Sequence, residues 1–218
     1  MALSGTRDFE LDVGELIEEA FERCGLEVRT GYDAKTARRS LNLMFAEWAN
    51  RGLNLWTVKQ ATTTLTQGQA QETLLADVVD VLEVVLRRDN TDYEIDRISR
   101  AEYLTLPNKT TTGRTSQFYF DRQITPVINL WPVPENSTDQ LVYYYVRRID
   151  DADTLVNTTD MPFRLYPCMV AGLSYYIAMK RAPERLQMLK SIYEEEFQRA
   201  SDEDEDRVPL KLQPSMSY

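Results

Sequence analysis

Histidine is absent from this chain of 218 residues. That removes the commonest general base and the commonest metal ligand. Cysteine is scarce. Cys24 and Cys168 stand far apart in apolar surroundings, which reads as two small core residues in a reducing compartment, not as a zinc site or a disulfide framework. The 8 glycines form neither GxxxxGK nor GxGxxG, so no loop of the usual kind cradles a phosphate. No apolar run approaches the length of a membrane span, and residues 1–7 lack the apolar centre of a signal peptide. A soluble chain made in a cytoplasm, without contact to a membrane, is expected. An excess of cations is missing too, since the net charge is −10. This argues against wrapping nucleic acid by phosphate neutralisation, but not against a surface that DNA slides past. No serine, cysteine or lysine has a histidine beside it. No enzyme, cofactor or metal site is expected.

What is present suffices for a packed core, with 43% hydrophobic residues. Asp12 with Glu15 forms a capping-box pair opening a helix, and Val13, Leu16, Ile17, Ala20, Phe21 and Cys24 fall at its i, i+3, i+4 positions. Gly25 stops it. Glu15, Glu18, Glu19 and Glu22 make the wet face. The second helix is expected after Asp33, running to about Asn50, with Ala37, Leu41, Met44, Phe45 and Trp48 inward and Gly52 as its stop. From 57 onward the composition turns to β. Val78, Val79, Val81, Leu82, Val84, Val85 and Leu86 are its densest run, and Asp89-Asn90-Thr91 is a hairpin turn. Ser99 with Glu102 repeats the capping box and predicts a short helix near 99–106. Residues 108–115 (NKTTTGRT) form a polar surface loop carrying Lys109, Gly113 and Arg114, expected to face a partner. Strands follow around 118–120, 127–131 and 141–146. The acidic connector 150–160 lacks the glycine and glutamate of a calcium loop. Two helices fill the stretch from Pro162 to about Ala200, separated at Pro183. The acidic end, 202–206, opposes the helix dipole, so fraying or capture by a basic partner is expected there.

The last residues alternate. Val208, Leu210, Leu212, Met216 and Tyr218 take every second place with polar residues between them, and two prolines forbid a helix. This is an extended segment with one apolar face. It is either a frayed terminus or a docking arm that needs a groove on another molecule.

The plan is α+β: a helical bundle built from N- and C-terminal helix pairs (1–56 and 161–203), an inserted antiparallel β domain (57–160), and an extended C-terminal tail (204–218).

The strings ELIEEAFERCGLE, ARRSLNLMFAEWANRGLNLW, DVVDVLEVVLRR, RISRAEYLTLPNK and FYFDRQITPVINLWPVP, in this order and before a Tyr-Tyr-Tyr strand, resemble the head-to-tail adaptors of short-tailed bacteriophages, the tail tubular protein A and tail accessory factor family. The resemblance spans nearly the whole chain. It implies a structural virion protein at the head–tail junction, a dodecameric ring binding the portal above and the tail nozzle below, with packaged DNA passing through its lumen unbound. It also implies a C-terminal segment that grips the portal, here Val208, Leu210, Leu212, Met216 and Tyr218. Two other classes stay open. A tail-associated cell-wall hydrolase needs a carboxylic acid of raised pKa beside a second carboxylate, and no Asp or Glu stands isolated in an apolar context. A virion assembly chaperone would not remain on the particle.

Overall fold

A computed structural model describes residues 5–6, 9–53 and 55–204. In chain order the elements are helices α1 (Val13–Arg23) and α2 (Gly31–Arg51), strands β1 (Val58–Thr64), β2 (Gln71–Thr73), β3 (Val78–Arg88), β4 (Thr91–Glu94) and β5 (Asp96–Arg97), and helix α3 (Arg100–Thr105). Strands β6 (Thr112–Gly113), β7 (Gln117–Asp121), β8 (Val127–Trp131), β9 (Val133–Pro134) and β10 (Gln140–Arg147) follow, then helices α4 (Tyr166–Arg181) and α5 (Leu186–Glu203). The chain divides into two compact units, a helical one from residues up to Trp56 and from Ile149 onward, and a β unit, Thr57–Arg148. Both short and long helices mixed with antiparallel sheets make the α+β class.

The helical unit is organised around α4. Tyr166, Cys168, Met169, Val170, Ala171, Gly172, Leu173, Ser174, Ile177 and Ala178 are all buried, the mark of a helix enclosed on nearly every side. Gly172 is where neighbours come closest. A Cβ there would collide with Met44 Sδ and lie 2.9 Å from the Tyr193 ring, so only glycine lets α2 and α5 approach. The α1 start is a full capping box, with Asp12 accepting from Glu15 N at 2.7 Å. α2 begins earlier than the sequence suggests. Thr30 is its cap and Asp33 is the third helical residue that closes the box. Both are good caps, and only the paired geometry decides between them. Gly52 ends α2 in the left-handed conformation, φ 90°. Trp48 is fully buried and donates from Nε1 to Tyr193 Oη at 2.9 Å; Tyr193 and Tyr176 in turn donate to Glu47 at 3.1 and 2.8 Å. This chain of bonds ties α2 to α4 and α5.

Residues 150–160 read as a polar connector belonging with the strands, yet they and Ile149 pack on the helices. Gly14 and Val13 donate their backbone N–H groups to Leu155 O and Asn157 O, and Ile149 and Ala152 join the helical core. The acidic end of α5 also has a partner within the chain. Asp204 accepts from Arg164 at 3.1 Å and from Leu55 N at 3.0 Å, so that end is held by its own unit and not left to an outside cation at this residue.

The β unit is two four-stranded sheets, β1-β10-β3-β4 and β2-β8-β7-β5, plus the small pair β6-β9. Between the two larger sheets lie Val81, Val84, Leu86, Phe118, Phe120, Ile128, Leu130, Leu141, Tyr143 and Tyr145. The ladders of β1, β10, β3 and β4 are antiparallel. Two short pairs, β5-β7 and β6-β9, run parallel instead. Asp89 and Asn90 both take positive φ, 49° and 61°, the type I′ turn that suits a right-twisted hairpin. The first and last strands are neighbours, Val58 opposite Val146, so the chain enters and leaves the β unit side by side. One buried ion pair fastens its rim. Asp139, whose side chain is only 2% exposed, takes two bonds from Arg88 at 2.7 and 2.9 Å, and Glu135 joins at 2.8 Å.

The carboxylates set the pH response. The Thr30 hydroxyl lowers Asp33, the Arg87 guanidinium lowers Asp92, the Ser99 backbone N–H lowers Glu102 and the Arg51 guanidinium lowers Glu194. Each contributes stability that is full above the unfolded carboxyl pKa near 4 and lost as pH falls through the lower folded value. Burial raises Glu72 and acts in the opposite sense. With no histidine to titrate near neutrality, the thermal midpoint is expected to stay level from about pH 6 to 8 and to drop below about pH 4.5. A melting series across pH 3–8 checks this; a step between pH 6 and 7 is not expected.

Candidate partner-binding surfaces

In the β unit, residues 108–115 are bound closely to the turn after β8. Trp131 Nε1 donates to Asn108 O at 2.9 Å, Val133 N to Thr111 O at 2.8 Å, and the Thr115 hydroxyl to Pro132 O at 2.9 Å. Lys109 donates to Leu104 O and Leu106 O, closing the C-terminus of α3, and lies over the Tyr103 ring. Gly113 sits in β6 with a Pro132 carbon 3.6 Å from where its Cβ would be. The Arg114 guanidinium stacks over Tyr93 at 4.3 Å. The three residues singled out in the sequence thus share one loop, with Lys109 and Gly113 half-buried and Arg114 exposed. The tail residues Val208, Leu210, Leu212, Met216 and Tyr218 lie outside the described residues.

In the helical unit the sequence gives no hint of a groove of about 660 Å³. Phe9 and Phe163 meet edge to face at 6.1 Å above Tyr166 and leave 63% and 66% of their surface exposed. Along one side runs α1 with Glu15, Glu18, Glu19 and Glu22, four carboxylates at helical spacing on one face. Glu19 pairs with Arg23 at 2.9 Å and Glu15 closes the capping box. Glu18 and Glu22 form no ion pair among the described residues. Arg23 and Arg164 also line the groove and are paired with Glu19 and Asp204, so exposed aromatic rings beside Glu18 and Glu22 make a surface suited to another protein.

The rest of the chemistry is inward. Burial pushes the Cys168 thiol up to about 12 and raises Cys24 as well, which makes both poor nucleophiles. Arg87 and Arg88 are spent on Asp92 and on Asp139 with Glu135, and Arg38 donates to Asp153 O. Tyr143 and Tyr145 are core residues, so among the three consecutive tyrosines only Tyr144 faces out. Glu72 departs from the sequence reading: burial raises its pKa, the one carboxylate so shifted among the described residues. No group of three or more Cys, Asp or Glu residues able to hold a metal ion occurs among the described residues, and no described helix is long and apolar enough to cross a membrane.

The chain thus carries an exposed loop in its β unit and an exposed aromatic groove in its helical unit. The model of the SU10 adaptor protein family matches residues 11–213, and the chain belongs to that family. It is therefore a phage adaptor, a structural protein of the virion. No curated protein matches the chain.

Proposed function

We propose that this adaptor forms a ring, a dodecamer, between the portal vertex and the tail nozzle, and extends the channel through which packaged DNA passes. The observation that carries this reading is the family match across residues 11–213, on a chain whose helical unit is interrupted once by a β unit. Residues 208–218 form an arm on the portal, and the loop with Lys109, Gly113 and Arg114 meets a neighbouring subunit or the nozzle. The excess of negative charge suits a lumen along which DNA slides without sticking.

Trypsin tests the loop assignment. Cleavage after Lys109 or Arg114 in the free protein is expected to be slow but measurable, given the bonds that hold the loop, and to be blocked in assembled tails. Equal protection in the two states would remove the loop from any interface. The net charge of −10 also bears on assembly. Twelve such subunits repel one another, and screening is only partial over about 8 Å at physiological salt. Light scattering of the isolated protein at low salt is expected to show monomers or small species. A stable ring under those conditions would contradict the expectation that the protein by itself forms a ring only weakly or not at all.

A further inference from the structure

A ring of more than two copies requires a heterologous contact, in which one surface of a subunit meets a different surface of the next. The acidic aromatic groove of the helical unit supplies one such surface. A second surface of opposite character lies on α2. Its buried side is Ala34, Ala37, Leu41, Met44, Phe45 and Trp48. Its exposed side is Tyr32, Lys35, Arg39 and Leu43, at intervals of three and four residues, and so one face. Tyr32 and Leu43 are 69% and 57% exposed. Neither Lys35 nor Arg39 makes an ion pair among the described residues. Cations crowd here: Lys180 bonds Ser40 on α2 at 2.6 Å, and its pKa is lowered by burial and by the nearness of Arg39 and Arg181. Only Arg181 of this group has a carboxylate, Asp33 at 2.7 Å.

The two surfaces match in spacing as well as in sign. Glu18 and Glu22 are one helical turn apart on α1, and Lys35 and Arg39 are one turn apart on α2. Four residues rise about 6 Å in both cases, so the pairs can meet one to one. Tyr32 lies one turn before the cations and Leu43 one turn after them, which puts an apolar side chain at each end to enter a groove floored by aromatic rings. Desolvated rings supply the attraction, and the charges select the register and the partner.

We propose that the ring contact is formed by Tyr32, Lys35, Arg39 and Leu43 of one copy seated in the groove of Phe9, Phe163, Glu18 and Glu22 of the next. This rests on the ring proposed above and specifies its subunit contact. It assigns the groove to a second copy of the chain in place of the portal, the nozzle or the C-terminal tail.

Charge exchange tests it. One variant carries Glu18→Lys and Glu22→Lys, the other Lys35→Glu and Arg39→Glu; all four positions are exposed, and circular dichroism with a melting curve checks that each variant folds. Sedimentation at high protein concentration in physiological salt is then compared with the wild-type chain. Each variant alone now sets like charges against one another and is expected to self-associate at least tenfold more weakly. Their equimolar mixture restores opposite charges at every junction, and so does one chain carrying all four changes, so both are expected to recover the wild-type behaviour. Variants that associate as well as the wild type, or a mixture that stays monomeric, overturn the proposed contact. A wild-type chain that remains monomeric at every concentration also counts against it, as does loss of self-association on removing residues 208–218, which would give the groove to the tail. The ring itself is judged separately, on particles bearing the portal, so a portal-bound ring indifferent to the four changes would defeat this contact alone.

Discussion

A chain ending at Arg207 is expected to melt at the same temperature as the full-length protein and to fail to join portals. The described helical core ends with Asp204 bonded to Arg164 and Leu55, so the truncation spares every contact that the described residues make with one another in that unit. What it removes is the alternation of Val208, Leu210, Leu212, Met216 and Tyr218. Extended, residues 208–218 reach about 35 Å, enough to cross from one subunit body to a neighbouring protein. Burial of each large side chain is worth about 1–2 kcal/mol. Fixing the backbone costs about as much per residue, so a single arm binds weakly. Arms arranged around a ring act at high effective concentration and together hold firmly. The loss on truncation is therefore expected to be nearly complete. Pull-down on portals and a melting curve read the two halves of this prediction, and assembly as efficient as that of the full chain would show that the segment is only a terminus.

The Arg88→Ala substitution is expected to lower stability by about 3 kcal/mol. It leaves the Asp139 carboxylate, 2% exposed at the side chain, without the guanidinium that gives it two bonds. Removing one member of a buried pair typically costs about 3–5 kcal/mol, because a charge stays behind in a poor solvent. The lower end applies here, since Arg88 keeps 26% of its side chain in water. Denaturant unfolding measures it. Arg87→Ala is the control: its partner Asp92 is 45% exposed, and the change should cost less than about 1 kcal/mol. Equal effects for the two arginines would mean that the buried pair does not fasten the rim.

Much of the fold could be read before the structure because its signals are local. The capping boxes at Asp12 with Glu15 and Ser99 with Glu102 depend on residues three apart, and both form. The β-branched run from Val78 to Leu86 lies within the strand Val78–Arg88. Where two signals competed the reading slipped. Asp33 is a fair cap by itself, and only the reciprocal bond with Thr30 makes it the third helical residue. The parallel pairs β5-β7 and β6-β9 span two residues each, too few for any period to show. Residues 150–160 are polar enough to read as a loop, and their attachment to α1 runs through backbone carbonyls, which carry no sequence signal.

The interaction surfaces were less legible for the same reason. The glutamates of α1 stood out as a wet face, but Phe9 and Phe163 are brought beside them only by the packing of α1 on the start of α4. Arg39, Lys180 and Arg181 come from two distant segments, and their crowding is a product of tertiary structure. The basic pairs 87–88 and 38–39 look alike in sequence. The first pair is neutralised within the β unit, whereas Arg39 of the second is left facing outward.

Electron microscopy of the protein mixed with its portal tests the proposed role most directly. Expected is a closed ring added as one layer to the tail-side face of the portal, its central channel continuous with that of the portal, while the protein alone, dilute and at low salt, gives monomers or small species. Bare portals beside free adaptor, or adaptor bound elsewhere on the particle without closing a ring, would contradict it.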